Sequence, residues 1–119
     1  MMAGVFRGMR VFFIVLHGLA FVGPVFADEL AGNKLFNNPR KGNCVACHAT
    51  GVDPPAAIGK PIGPSLAGAK ARYPDRTKLR DIVFDAAKTW SNTIMPPYGR
   101  HRILNDREID AVIAYVETL

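Results

Sequence analysis

The chain has 119 residues, with 15 Lys+Arg against 10 Asp+Glu and a formal net charge of +5, which allows one domain at most. Its positive residues are scattered, with no basic helical stripe and few aromatics among them, and this excludes a nucleic-acid-binding surface. A chain this small buries a modest fraction of its surface and needs a staple of disulfide, metal or cofactor, for which its only two cysteines are the candidates.

Arg7 and Arg10 precede the apolar run Val11 to Val22, Gly23 and Pro24 interrupt it, and Val25 to Ala27 offer small residues where a signal peptidase cuts. Residues 1–27 are therefore expected to be a cleaved export signal and residues 28–119 the mature domain. A membrane anchor is the competing reading, but the run falls short of the roughly 20 residues a span needs and is broken by His17 and Gly18. No stable membrane insertion is expected after cleavage, and the destination is the periplasm. Only Arg7 and Arg10 are charged in the leader, so the remaining chain is mildly basic.

The first mature helix is predicted over about Asp28 to Asn37, with Leu30, Ala31, Lys34 and Leu35 on adjacent turns and Asp28 or Glu29 near its positive start. The run NNPRKGN ends it. A second helix is predicted within PDRTKLRDIVFDAAKTW, where Leu79, Ile82, Val83 and Ala86 fall at offsets 0, 3, 4 and 7. In the last, Asn105 and Glu108 form a capping-box pattern, and Ile109, Val112, Ile113 and Val116 repeat the same offsets. Pro- and Gly-rich connections separate these helices, and no stretch alternates with period two as a strand would. The expected fold class is all-α, with loops long enough to wrap something.

Cys44, Cys47 and His48 stand at offsets 0, 3 and 4, so one helical turn presents all three side chains on one face. A dithiol redox pair belongs at the start of a helix after a strand, and no strand precedes Cys44. Zinc needs four ligands, and the mature chain adds only the isolated His101. C-x-x-C-H is the attachment pattern of haem c, one per chain here, with both thiols bonded to the porphyrin and His48 beneath the iron.

A low-spin electron carrier needs a second axial ligand, and Met95 is the only methionine beyond the leader. It sits in TIMPPYG, where two prolines restrict the backbone. His101, six residues on, is the competing ligand. For IGPSL two readings stand: Pro64 supplies a carbonyl that orients His48, or the segment is a plain turn. Trp90 likewise either offers its indole N–H to a haem propionate or is a buried tryptophan at a helix end.

Together these residues resemble class I cytochrome c over essentially the whole mature chain. The resemblance implies a few helices wrapped around one covalently attached haem. In it Gly32 of GNKLF lets the C-terminal helix cross closely, Phe36 packs near the haem, and Tyr115 is the aromatic of the C-terminal helix. The seven residues between Phe36 and Cys44 are a longer spacing than is common in the family.

A closer resemblance, carried by IGPSLAG, RYPDRTKLRDIVFDA and above all NTIMPPYGRHRILNDREIDAVIAYVETL, is to SoxX, the monohaem subunit of the SoxAX cytochrome of thiosulfate oxidation. It implies a heterodimer with a SoxA-like cytochrome subunit and electron transfer from it to a downstream acceptor. The chain would be non-catalytic alone but part of an L-cysteine S-thiosulfotransferase that couples thiosulfate to a carrier-protein cysteine. No third cysteine is present to act as the persulfidated ligand of SoxA. A free-standing class I carrier serving another dehydrogenase or oxidase is the alternative. Lys41, Lys60, Arg100 and Arg102 are expected either to meet acidic groups of a partner or simply to be solvated.

Overall fold

The computed structural model describes residues 24–51 and 62–119. Residues 1–23 of the expected leader, and Lys60, lie outside the described residues. Four α-helices appear in chain order: α1 (Pro24–Phe36), α2 (Ala69–Arg72), α3 (Arg76–Asp85) and α4 (Asp106–Val116). Two 3₁₀ turns, Cys44–Ala46 and Ala86–Lys88, complete the regular structure, and no strand occurs among the described residues. The architecture is all-α, as the missing two-residue alternation implies.

Helix α4 forms where its cap dictates. Asn105 accepts from the Glu108 backbone N–H and the Glu108 carboxylate accepts from Asn105 N–H, both at 2.9 Å. Such a reciprocal cap satisfies two of the first-turn donors and stabilises the helix by about 1 kcal/mol. The apolar face it starts is Ile109, Val112, Ile113 and Val116, all buried. In α3 the Asp75 side chain caps Thr77 N, and Leu79 and Val83 are buried. The predicted helix continues only as the 3₁₀ turn at 86–88, because Asp85 turns its own side chain onto Ala87 N and starts a new cap there.

Helix α1 departs from expectation in start and in face. It begins at Pro24, whose missing N–H costs nothing at a first helical position, so Asp28 and Glu29 fall in its second turn rather than at its positive end. Leu30 is 65% exposed and Ala31 and Lys34 face solvent, whereas Gly32 and Phe36 are buried. The reason is the crossing with α4: a Cβ built on Gly32 would stand 2.0 Å from the Ala111 carbonyl oxygen, so only glycine permits this approach. Phe36 then packs edge-on against Tyr115, ring centres 5.3 Å apart.

Ion pairs bind the helices at their surfaces. Arg80 reaches Asp110 at 3.0 Å and Asp106 at 2.6 Å, tying α3 to α4, and Arg76 pairs with Glu117. The long turn between Phe36 and Cys44 is closed by Lys41, which pairs with Glu108. Hydrogen bonding from Lys41, then from Asn105 N–H, holds the Glu108 carboxyl below its ordinary 4.5. A carboxyl with a lower pKa folded than unfolded stabilises the fold above pH 4.5, and that contribution is lost as the pH falls below it. Glu108→Gln is therefore expected to flatten the fall in stability on acidification, measured by urea unfolding of both proteins across the acid range.

Candidate functional site

Cys44 to His48 form one tight turn. Its entry is Asn43 in the left-handed region (φ 50°), a conformation that asparagine tolerates better than most residues. Cys47 N–H and His48 N–H both donate to the Cys44 carbonyl, at 3.1 and 2.9 Å, and so set the two thiols and the imidazole close together. All three line a single cavity of 460 Å³. That volume lies within the usual range of small-molecule and cofactor pockets.

The chain from 63 to 67 fixes the imidazole. His48 Nδ1 lies 2.8 Å from the Pro64 carbonyl oxygen, a hydrogen bond in which the ring N–H donates. Gly63 N–H donates to the Cys47 carbonyl at 2.9 Å and Leu66 N–H to that of Ala49 at 2.8 Å, so this segment is zipped to the attachment turn. On its far side Arg72 donates to the carbonyls of Ser65, at 2.6 Å, and Ala67. The IGPSL segment thus carries the carbonyl that accepts from His48. Gly63 belongs to the site as well, since a Cβ there would sit 2.4 Å from His48 Cε1, and in the sequence only its place beside Pro64 hints at this.

Met95 is partly buried and lines the same cavity, with Leu79, Val83 and Val116 from the helices around it. His101 is exposed and is not among the cavity-lining residues. Trp90 lines the cavity and is 47% exposed, so it is not the buried helix-end tryptophan of the alternative reading. Two of the four basic residues considered for partner contact are satisfied within the chain: Lys41 by Glu108, and Arg100 by Asp85 at 3.3 Å. Arg102 remains exposed.

Burial above all, opposed by a backbone hydrogen bond and aided by the neighbouring Cys47, pushes the Cys44 thiol up to about 12. A redox-active dithiol needs the opposite, a depressed thiol that supplies thiolate near neutrality. Among the described residues no group of three His, Cys, Asp or Glu side chains is placed to hold a bare metal ion. The donor set instead suits a flat, largely apolar group: two sulfurs and an imidazole on one turn, a thioether lining the same mostly hydrophobic cavity, and a glycine where any Cβ would strike the His48 ring. The residues present fit a covalently attached haem.

Among the described residues no helix is long and apolar enough to cross a membrane. No curated protein gives a significant match to the chain. Residues 30–119 match the protein family described as Cytochrome c. That span takes in the whole cavity and every helix from the second turn of α1 onward, and the cofactor it brings is haem c, covalently bound. An all-α chain that folds its helices around such a cavity thus belongs to the cytochrome c family, as a monohaem electron-transfer protein.

Proposed function

We propose that Cys44 and Cys47 hold the haem through two thioethers, that His48 and Met95 are its axial ligands, and that the protein passes single electrons in the periplasm. The observation that carries this is the gathering of His48, on the attachment turn, and Met95, on a loop about fifty residues later, around one cavity. Haem c supplies a one-electron iron couple when bound. The Pro64 carbonyl orients His48 by accepting from its Nδ1–H, which leaves Nε2 for the metal. His48 and Met95 would both hold the iron, an arrangement that would suit electron transfer rather than binding of a substrate. Trp90 lines the cavity and is half-exposed, where its indole N–H would be available to a haem propionate.

Met95→Ala is expected to keep thioether-bound haem and to lose the sulfur-to-iron charge-transfer band. Retention of that band in the variant would remove Met95 from the ligand set.

The finer reading is a SoxX-like subunit that takes electrons from a SoxA-like partner as thiosulfate is joined to a carrier-protein cysteine, and hands them to a downstream acceptor. The run from Asn92 through MPPYGRHRIL supports it, as does a cysteine count that leaves no thiol for the persulfide chemistry of the partner. Thiosulfate-dependent reduction of this haem, followed by its visible spectrum with the SoxA-like partner present, is the expected result. Absence of that reduction would leave the free-standing carrier.

A further inference from the structure

We infer that Tyr98 is a positioning residue for Met95, because its hydroxyl ties the Met95 loop to the chain that enters the haem-attachment turn. The inference rests on Met95 being an axial ligand.

Tyr98 is 7% exposed, and its hydroxyl donates to the Gly42 carbonyl at 2.7 Å. Gly42 is a firm anchor. It is buried two residues before Cys44, and a Cβ there would lie 2.4 Å from the Leu35 carbonyl oxygen, so the backbone is wedged against the end of α1. The Met95 loop is thereby fastened to the chain that leads into Cys44 and Cys47.

Met95 packs against the core, but the chain preceding it gives it few ties. Ile94 is 76% exposed, and the hydrogen bond from Met95 N–H goes to Thr93 Oγ1, within the same loop, at 3.2 Å. After Met95 come Pro96 and Pro97, whose fixed φ angles make a stiff link between the thioether and Tyr98. Beyond Tyr98 the chain is secured to α3: Gly99 and Arg100 N–H groups both donate to the Phe84 carbonyl, at 3.1 and 3.2 Å, and Arg100 pairs with buried Asp85. Those bonds place the loop against α3. The Tyr98–Gly42 bond ties it to the attachment segment, and a proline pair carries that constraint to Met95.

The test is an imidazole titration of the oxidised holoprotein. Imidazole binds only when Met95 has left, so its apparent affinity reports the population of the Met95-off state. Tyr98→Phe keeps the ring but deletes the hydroxyl and leaves a buried carbonyl unsatisfied, so imidazole is expected to bind roughly 5- to 30-fold more tightly. Arg80→Ala is the control, since it cuts the ion pairs between α3 and α4 and lowers global stability without touching the loop. It should leave imidazole affinity within about twofold of wild type. If Tyr98→Phe moves the affinity no further than Arg80→Ala does, the inference is overturned.

A second measurement needs no variant. Coupling between two sites is reciprocal, so displacing Met95 with imidazole should loosen Tyr98. Nitration by tetranitromethane, mapped by mass spectrometry against Tyr73 and Tyr115, should rise at Tyr98 on imidazole saturation. Unchanged nitration there would overturn the inference. A wild-type protein with no sulfur-to-iron band would instead refute the ligand assignment itself, which separates the two failures.

Discussion

Replacing Gly63 by alanine is expected to cost the protein most of its haem. An alanine Cβ at this position would lie 2.4 Å from His48 Cε1, 2.7 Å from Nδ1 and 2.9 Å from Nε2, so it meets the imidazole across its ring. Neither side has room to yield. The His48 backbone is held by the Cys44 carbonyl, its Nδ1 by the Pro64 carbonyl, and Gly63 by its own bond to Cys47. Relief requires either turning the ring, which breaks the bond to Pro64, or lifting the 63–67 segment, which undoes its zip to the attachment turn. Loss of a partner that orients a metal-binding histidine commonly costs 10- to 100-fold in metal affinity. The haem-to-protein ratio of the purified variant is accordingly expected to fall roughly tenfold, measured by absorbance of the reduced pyridine complex and by intact mass. A ratio equal to that of wild type would show that the segment can move without disturbing His48. Ser65→Ala is the matched control, because the Ser65 hydroxyl makes two long hydrogen bonds, donating to the Ala49 carbonyl at 3.5 Å and accepting from Ala67 N–H at 3.3 Å, and neither involves His48.

Gly32→Ala is expected to spare haem attachment and to cost stability. The obstructing atom here is the Ala111 backbone oxygen, 2.0 Å from the added Cβ, and no side-chain rotation can move a carbonyl that belongs to the middle of α4. The whole of α1 must back away. That opens the best-buried part of the core, where Phe36, Ile109 and Ile113 have essentially no exposed surface. Overpacking of this kind costs about 1–3 kcal/mol, and a rigid backbone partner places the cost at the upper end. Urea unfolding of the holoprotein should show a lower midpoint with an unchanged slope, the signature of lost stability rather than altered compactness. An unchanged midpoint would mean that α1 can slide along α4 at no cost. The two glycines therefore separate cleanly: one guards the His48 ring and the other guards the helix crossing.

Features that depend on neighbours three or four residues apart were legible in the sequence. The Asn105–Glu108 cap, the apolar face of α4, the Leu79–Val83 face of α3 and the clustering of Cys44, Cys47 and His48 on one turn all follow from helical spacing. Hydrogen bonds and side-chain neighbours at that range are set by local geometry, whatever the rest of the chain does. Helix α1 shows the limit of this reasoning. Its leucines suggested one face by their apolarity, yet the buried face is the one with Gly32 and Phe36, because contact with α4 decides which side is covered.

The same limit explains the site. CxxCH and a methionine in a Pro-Pro loop name the chemistry from residue type alone. The Tyr98 bond to Gly42, the pairing of Lys41 and Arg100 inside the chain, the exposure of Trp90 and the fit of Gly63 to the His48 ring each join residues distant in sequence. The sequence alone determined which atoms are available to hold a haem and the helical faces of α3 and α4, whereas the short helix α2 carries no such spacing and was not foreseen. Only the tertiary structure decided how those atoms are aimed, since close packing and long-range hydrogen bonds depend on which distant backbones approach each other.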